Sequence, residues 1–160
     1  MLTAITHGRT GVTVLRLPGV SDARSRCVHR AREQFGPYGH SVSSALMFVR
    51  DHLEAWSLRD KLAVASTVTT VFAENALSYT RSGFDIRLEG TADEVVVAVS
   101  DASPSLAVRR ERLLGSCPGG LDIVSALCER WGNTLTSTGK TVWARVGADD
   151  TFAGITRLLQ

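Results

Sequence analysis

The chain has 160 residues, of which 44% are hydrophobic, and its 18 Lys and Arg against 16 Asp and Glu give a formal charge of +2. That length buries one proper core and leaves little room for a second domain. A balance so near neutrality gives no reason to expect nucleic acid as a partner, and no apolar stretch approaches a signal core or a membrane span, so a cytoplasmic protein without membrane association is expected. Arg24, Arg26, Arg30 and Arg32 cluster early and Arg109, Arg110 and Arg112 cluster later, a pattern commoner on solvated faces than in binding sites. Cys27, Cys117 and Cys128 are odd in number and lack metal-ligand spacing to any His, so they read as thiols in a reducing compartment.

In chain order, Val12 to Leu17 alternates like a strand and stops at Pro18-Gly19, and Asp22 to Gln34 is predicted as a basic helix. Gly36-Pro37-Tyr38-Gly39 breaks the chain. Val42, Leu46, Val49, Leu53 and Trp56 then mark one buried helical face, and a second helix is predicted from about Arg59 to Tyr79, ending near Ser82-Gly83. Phe84 to Glu89 alternates, turns through residues 90–93 and meets the run Val95 to Val99, as expected for an antiparallel pair. Ala102 to Pro118 has two prolines and little periodicity, so a mobile lid is one reading of it. Leu121, Val124, Leu127 and Trp131 suggest an amphipathic helix stopped by Gly132; Thr134 to Thr136 and Thr141 to Val146 read as a last hairpin turning at residues 137–140. Phe152, Ile155, Leu158 and Leu159 suggest a short terminal helix. Helix, helix, hairpin, helix, hairpin predicts a two-layer α/β sandwich, with helices on one face of a mixed, mainly antiparallel sheet.

One residue interrupts this ordinary pattern. Val64, Val68 and Val71 precede Asn75 at spacings of four, three and four, so the second helix turns the Asn75 amide toward the interior. An inward amide needs partners, either core hydrogen-bond groups or a bound metal and polyphosphate. Asp101 closes an apolar run, Gly119-Gly120-Leu121 opens a helix, and Gly139-Lys140-Thr141-Val142-Trp143 enters the last strand.

Together with Leu127-Cys128-Glu129-Arg130-Trp131-Gly132, Val49 to Trp56 and Val99 to Pro104, these segments resemble the histidine-kinase-like ATPase superfamily that includes gyrase and MutL. The resemblance is to its compact actinobacterial branch, similar to the RsbW and SpoIIAB anti-sigma serine kinases. It covers residues 41–147, with 1–40 as an N-terminal extension of strand and helix and 148–160 as a tail. It implies a Bergerat-type ATP-binding fold and ATP with Mg²⁺. The partners it implies are a sigma factor or a STAS-domain antagonist, with homodimerisation common in such proteins. Residue by residue, it makes Asn75 the Mg²⁺ ligand through its amide oxygen, Asp101 the acceptor for the adenine amino group and Thr141 its companion. Gly119 and Gly120 become phosphate-binding backbone at a helix start. Each has an ordinary alternative: a satisfied core amide, a turn residue, a strand hydroxyl, a loop-to-helix junction. Residues 11–23 also faintly resemble the opening of a STAS domain, although a whole one does not fit before Val42.

The chain departs from that pattern at three places. Val71 stands where the family carries the catalytic glutamate, so no catalytic base is assigned; Glu74 is rotated about 100° around the helix from Asn75. Ser103 and Ser105 replace the glycines expected after Asp101, and Pro118 replaces the first phosphate-loop glycine, removing an N–H donor. Loss of the base is expected to slow phosphoryl transfer on the order of 10²–10⁴-fold. The expectation is a serine-kinase-type regulator with weakened ATP binding and poor or lost transfer, or a non-catalytic interaction module on the same fold. A Ser-His-Asp hydrolase is not supported, since His7, His29, His40 and His52 all fall early and no serine sits in a nucleophile-elbow sequence.

Overall fold

Alternation along residues 84–90 and 139–146 decides which side of the sheet is covered. In the computed structural model, which describes residues 3–7, 12–16, 29–108 and 119–147, with 3–7 and 12–16 as backbone, the elements are β1 (Thr3–His7), β2 (Val12–Arg16), β3 (His29–Phe35), α1 (Ser41–Ala55), α2 (Leu62–Tyr79), β4 (Phe84–Gly90), β5 (Val95–Asp101), α3 (Gly120–Leu127), β6 (Arg130–Thr136) and β7 (Gly139–Val146). A 3-10 turn, Arg59–Lys61, leads into α2. The strands form one sheet in the order β2-β1-β6-β7-β5-β4-β3. Every described pair is antiparallel, so the parallel component of the expected mixed sheet is absent among the described residues. The result is a two-layer α/β fold.

On β4, Phe84, Ile86 and Leu88 are buried while Arg87 between them is exposed, the period-two pattern of a strand with one covered face. Register carries that face across the sheet: Ile86 opposes Val99, Val99 opposes Val142, and Val142 opposes Asn133. Against it, α2 buries Val64, Ala65, Val68, Phe72, Ala73 and Ala76, and α1 adds Ala45, Phe48, Val49 and Leu53. Side chains such as Leu53, Val68 and Phe72, at most 1% exposed, each contribute about 1.5–3 kcal/mol by leaving water. No helix of the described residues is long and apolar enough to cross a membrane.

Three expectations are corrected. Residues 29–34, placed in a basic helix, belong instead to β3, paired along β4 from His29 opposite Gly90 to Phe35 opposite Phe84. Arg30 and Arg32 alternate outward there, and charges on an edge strand discourage further strand addition. Arg24 and Arg26 lie outside the described residues. Trp131, assigned to the third helix, belongs to β6: α3 ends at Leu127, and Cys128 is already extended at φ −114°, ψ 134°. The last hairpin is longer than expected, with only Ser137 and Thr138 between paired Thr136 and Gly139. The terminal-helix residues and the Arg109 to Arg112 cluster fall outside the described residues, as do Cys27 and Cys117. Cys128 is buried in the core.

Candidate functional site

Val71, Asn75 and Ser78 repeat at four and three residues along one edge of α2, so the helix presents them in a row. The N-terminus of α3 faces that row. Between them lies a pocket of about 340 Å³ lined by Val71, Glu74, Asn75, Ser78, Tyr79, Val108 and residues 119–122. Asn75 turns inward as its spacing predicts, but not into a satisfied core position: its amide nitrogen is buried and finds no hydrogen-bond partner. Such an orphaned donor costs about 1–3 kcal/mol. Glu74, rotated away from Asn75, still reaches the same pocket at its exposed rim.

The opposing wall is closed on itself. Gly119 caps α3, and its N–H donates to the Asp122 carboxylate at 3.0 Å, while Asp122 is only 3% exposed. A carboxylate at a helix N-terminus meets the positive end of the helix dipole, so the Gly119 N–H is already taken by one of this chain's own side chains. Gly120 has a packing reason to be glycine. A Cβ there would lie 2.8 Å from Val71 Cγ1, so Val71 is the residue on which the start of α3 rests.

Beyond Tyr79, on the sheet, lies a buried ion pair. Asp101 ends β5 directly opposite Lys140 on β7. Both Asp101 carboxylate oxygens stand 2.9 Å from Lys140 Nζ, and the two side chains are 2% and 1% exposed. Asp101 Oδ1 also accepts the Ser103 N–H at 2.7 Å, which makes Asp101 a turn residue as well as an ion-pair partner. The ammonium lies 5.8 Å from the centre of the Tyr79 ring, which lines the pocket. Gly139, at φ +157°, allows this junction, since a Cβ would sit 1.9 Å from the Asp101 carbonyl oxygen.

Thr141 does not join this group. One step along β7 reverses the side-chain direction, and Thr141 lies on the other sheet face, opposite Ser100, where the two hydroxyls are 2.7 Å apart. Thus Asn75, Gly119 and Gly120 meet at one pocket and Asp101 lies beyond Tyr79, while the residue facing Asp101 is Lys140. Thr141, expected as the companion of Asp101, lies on the sheet face opposite to Lys140.

Sequence reasoning also missed Asn133. Its Oδ1 accepts the Ala107 N–H at 3.1 Å and its Nδ2 donates to the Ala107 carbonyl at 2.9 Å, mimicking a strand pairing from inside the core. Ser103 and Ala107 are buried as well. The described part of the expected lid, residues 102–108, is therefore anchored; residues 109–118 lie outside the described residues. Trp131, out of place in the helix, donates its indole N–H to Ser125 Oγ at 2.8 Å, tying β6 to α3.

These residues do not fit an adenine nucleotide in the manner the resemblance implies. The Asp101 acceptors are engaged, the Gly119 donor is engaged, and Thr141 is elsewhere. For Mg²⁺, the side-chain oxygens of the kind it prefers at the pocket include those of Asn75, Ser78, Glu74 at the rim and Asp122, whose Oδ2 already accepts the Gly119 N–H. Among the described residues no group of three or more His, Cys, Asp or Glu side chains is placed to hold a metal ion. No protein-family model matches the chain, and no curated protein matches it.

Proposed function

We propose that this chain is a cytoplasmic regulator of the anti-sigma type, built on a histidine-kinase-like ATPase scaffold, that acts by binding a sigma factor or a STAS-domain antagonist and no longer transfers phosphate. The scaffold assignment is supported by the order of motifs along the chain and by a two-layer fold that gathers Asn75, Gly119 and Gly120 around one pocket. The observation that carries loss of transfer is Val71. It packs an apolar side chain against Gly120 where a base would have to meet substrate, and a positioned base is worth roughly 10²–10⁴-fold in rate.

A second reading, a regulator that retains weak Mg-nucleotide binding, is favoured by one feature: the buried amide nitrogen of Asn75 has no acceptor, as expected of a group kept for a ligand. Affinity capture with the full chain from its native cell, followed by mass spectrometry, tests the regulator reading. A sigma factor or STAS-domain protein retained without added nucleotide, and without a phosphate on the antagonist, is the expected result. Recovery of neither class overturns it.

A further inference from the structure

We propose that Lys140 is an internal ligand: its ammonium occupies the place of a nucleobase amino group on Asp101, making the site indifferent to nucleotide. This rests on the histidine-kinase-like reading, which makes Asp101 the acceptor for that amino group. The geometry argues the substitution in three steps.

The first step is occupancy. An adenine amino group is a neutral donor, whereas Lys140 Nζ is a charged one held 2.9 Å from both carboxylate oxygens in a setting at most 2% exposed. Charge-assisted hydrogen bonds are shorter and roughly twice as strong as neutral ones, so an incoming base exchanges a stronger bond for a weaker one. The second step is escape. A displaced ammonium must find water or another anion, or remain buried and unpaired, which is strongly unfavourable. Tyr79 stands 5.8 Å away, and its π-face adds to the ammonium's attraction to its present position.

The third step is rigidity. Lys140 is not carried by a loop able to swing aside: it opposes Asp101 in the β5–β7 register, and Gly139 is pressed onto the Asp101 carbonyl. Closure is therefore built into strand pairing, and a change in the cellular ATP to ADP ratio does not open it. Because position 140 shares its face with Val142 and Ala144, a short neutral side chain there would open the subsite, while a long neutral one would keep it filled.

The test is isothermal titration of Mg-ATP into the full-length wild type, Lys140→Thr, Lys140→Met and the double variant Asp101→Asn/Lys140→Thr. The double variant removes the charge that Lys140→Thr leaves unpaired and keeps a carbonyl acceptor, so it remains informative should the single variant not fold. Wild type and Lys140→Met give no saturable heat. Lys140→Thr, or the double variant in its place, binds, with a gain of at least about tenfold over the wild-type limit. Wild-type binding within about tenfold of the opened variants overturns the proposal, as does a folded opened variant that stays silent. Partner capture separates this from the regulator reading. Silence in folded opened variants, with partners still captured by wild type, removes the internal ligand alone; a gain of binding without partners removes the regulator reading alone.

Discussion

Val71 and Gly120 are in mutual contact across α2 and α3, so close that a methyl group on Gly120 would lie 2.8 Å from Val71 Cγ1. That contact accounts for a required glycine, because the Val71 side chain supports the helix start beside the pocket.

Gly120→Ala should overpack this contact at the pocket wall and cost roughly 1 kcal/mol, the low end of what an extra methyl costs where neighbours are tightly packed. Val71→Ala in the same chain should recover part of that loss, because the clash needs both side chains. Urea unfolding of the wild type, both single variants and the double variant gives the coupling energy. Additive effects would mean that the two residues do not touch.

Lys140→Met leaves the Asp101 carboxylate buried without its cation and should destabilise the fold by about 3–5 kcal/mol. Adding Asp101→Asn removes the stranded charge and keeps an oxygen for the Ser103 N–H, so most of the stability should return. Thermal and denaturant unfolding of the pair of variants decides it. A single variant as stable as wild type would show that the ion pair contributes nothing.

Asn133→Asp replaces the donor that faces the Ala107 carbonyl with an acceptor, and Asn133→Ala removes both bonds. Each change should cost about 1–3 kcal/mol for groups left unpaired in the core. It should also raise amide exchange in residues 102–108 well before the sheet is affected. Uniform exchange across the molecule would contradict the view that Asn133 pins this segment.

Asn75→Leu exchanges an amide whose nitrogen is buried without a partner for an apolar side chain of similar size on an otherwise apolar stripe. Removing an unsatisfied donor should leave stability unchanged or raise it by about 1–3 kcal/mol. A clear loss would mean that the amide is satisfied in the native protein.

Much of this fold is written in short-range pattern. The valines before Asn75 set its inward direction, and alternation from Phe84 to Glu89 and the apolar run after it specify the β4–β5 hairpin, since both signals depend only on neighbours along the chain. Trp131 was misassigned because spacings of three, three and four from Leu121 mimic a helical stripe, whereas the extended backbone at Cys128 changes the period before Trp131 is reached. Residues 29–34 read as helix for lack of an apolar alternation; pairing with β4, which no local window contains, makes them a strand. The Lys140 and Asp101 contact was partly legible, because position 140 shares parity with Val142, Ala144 and Val146, which marks it as inward. Asn133 bonding to Ala107 depends on two segments 26 residues apart and had no signal in the sequence.

The most direct test of the proposal that the protein works through contact, with Lys140 closing a nucleotide site from within, is isothermal titration of Mg-ATP into the folded wild-type chain, with Asp101→Ala as control. No saturable heat at millimolar nucleotide is predicted. Saturable one-to-one binding that disappears in Asp101→Ala would contradict it.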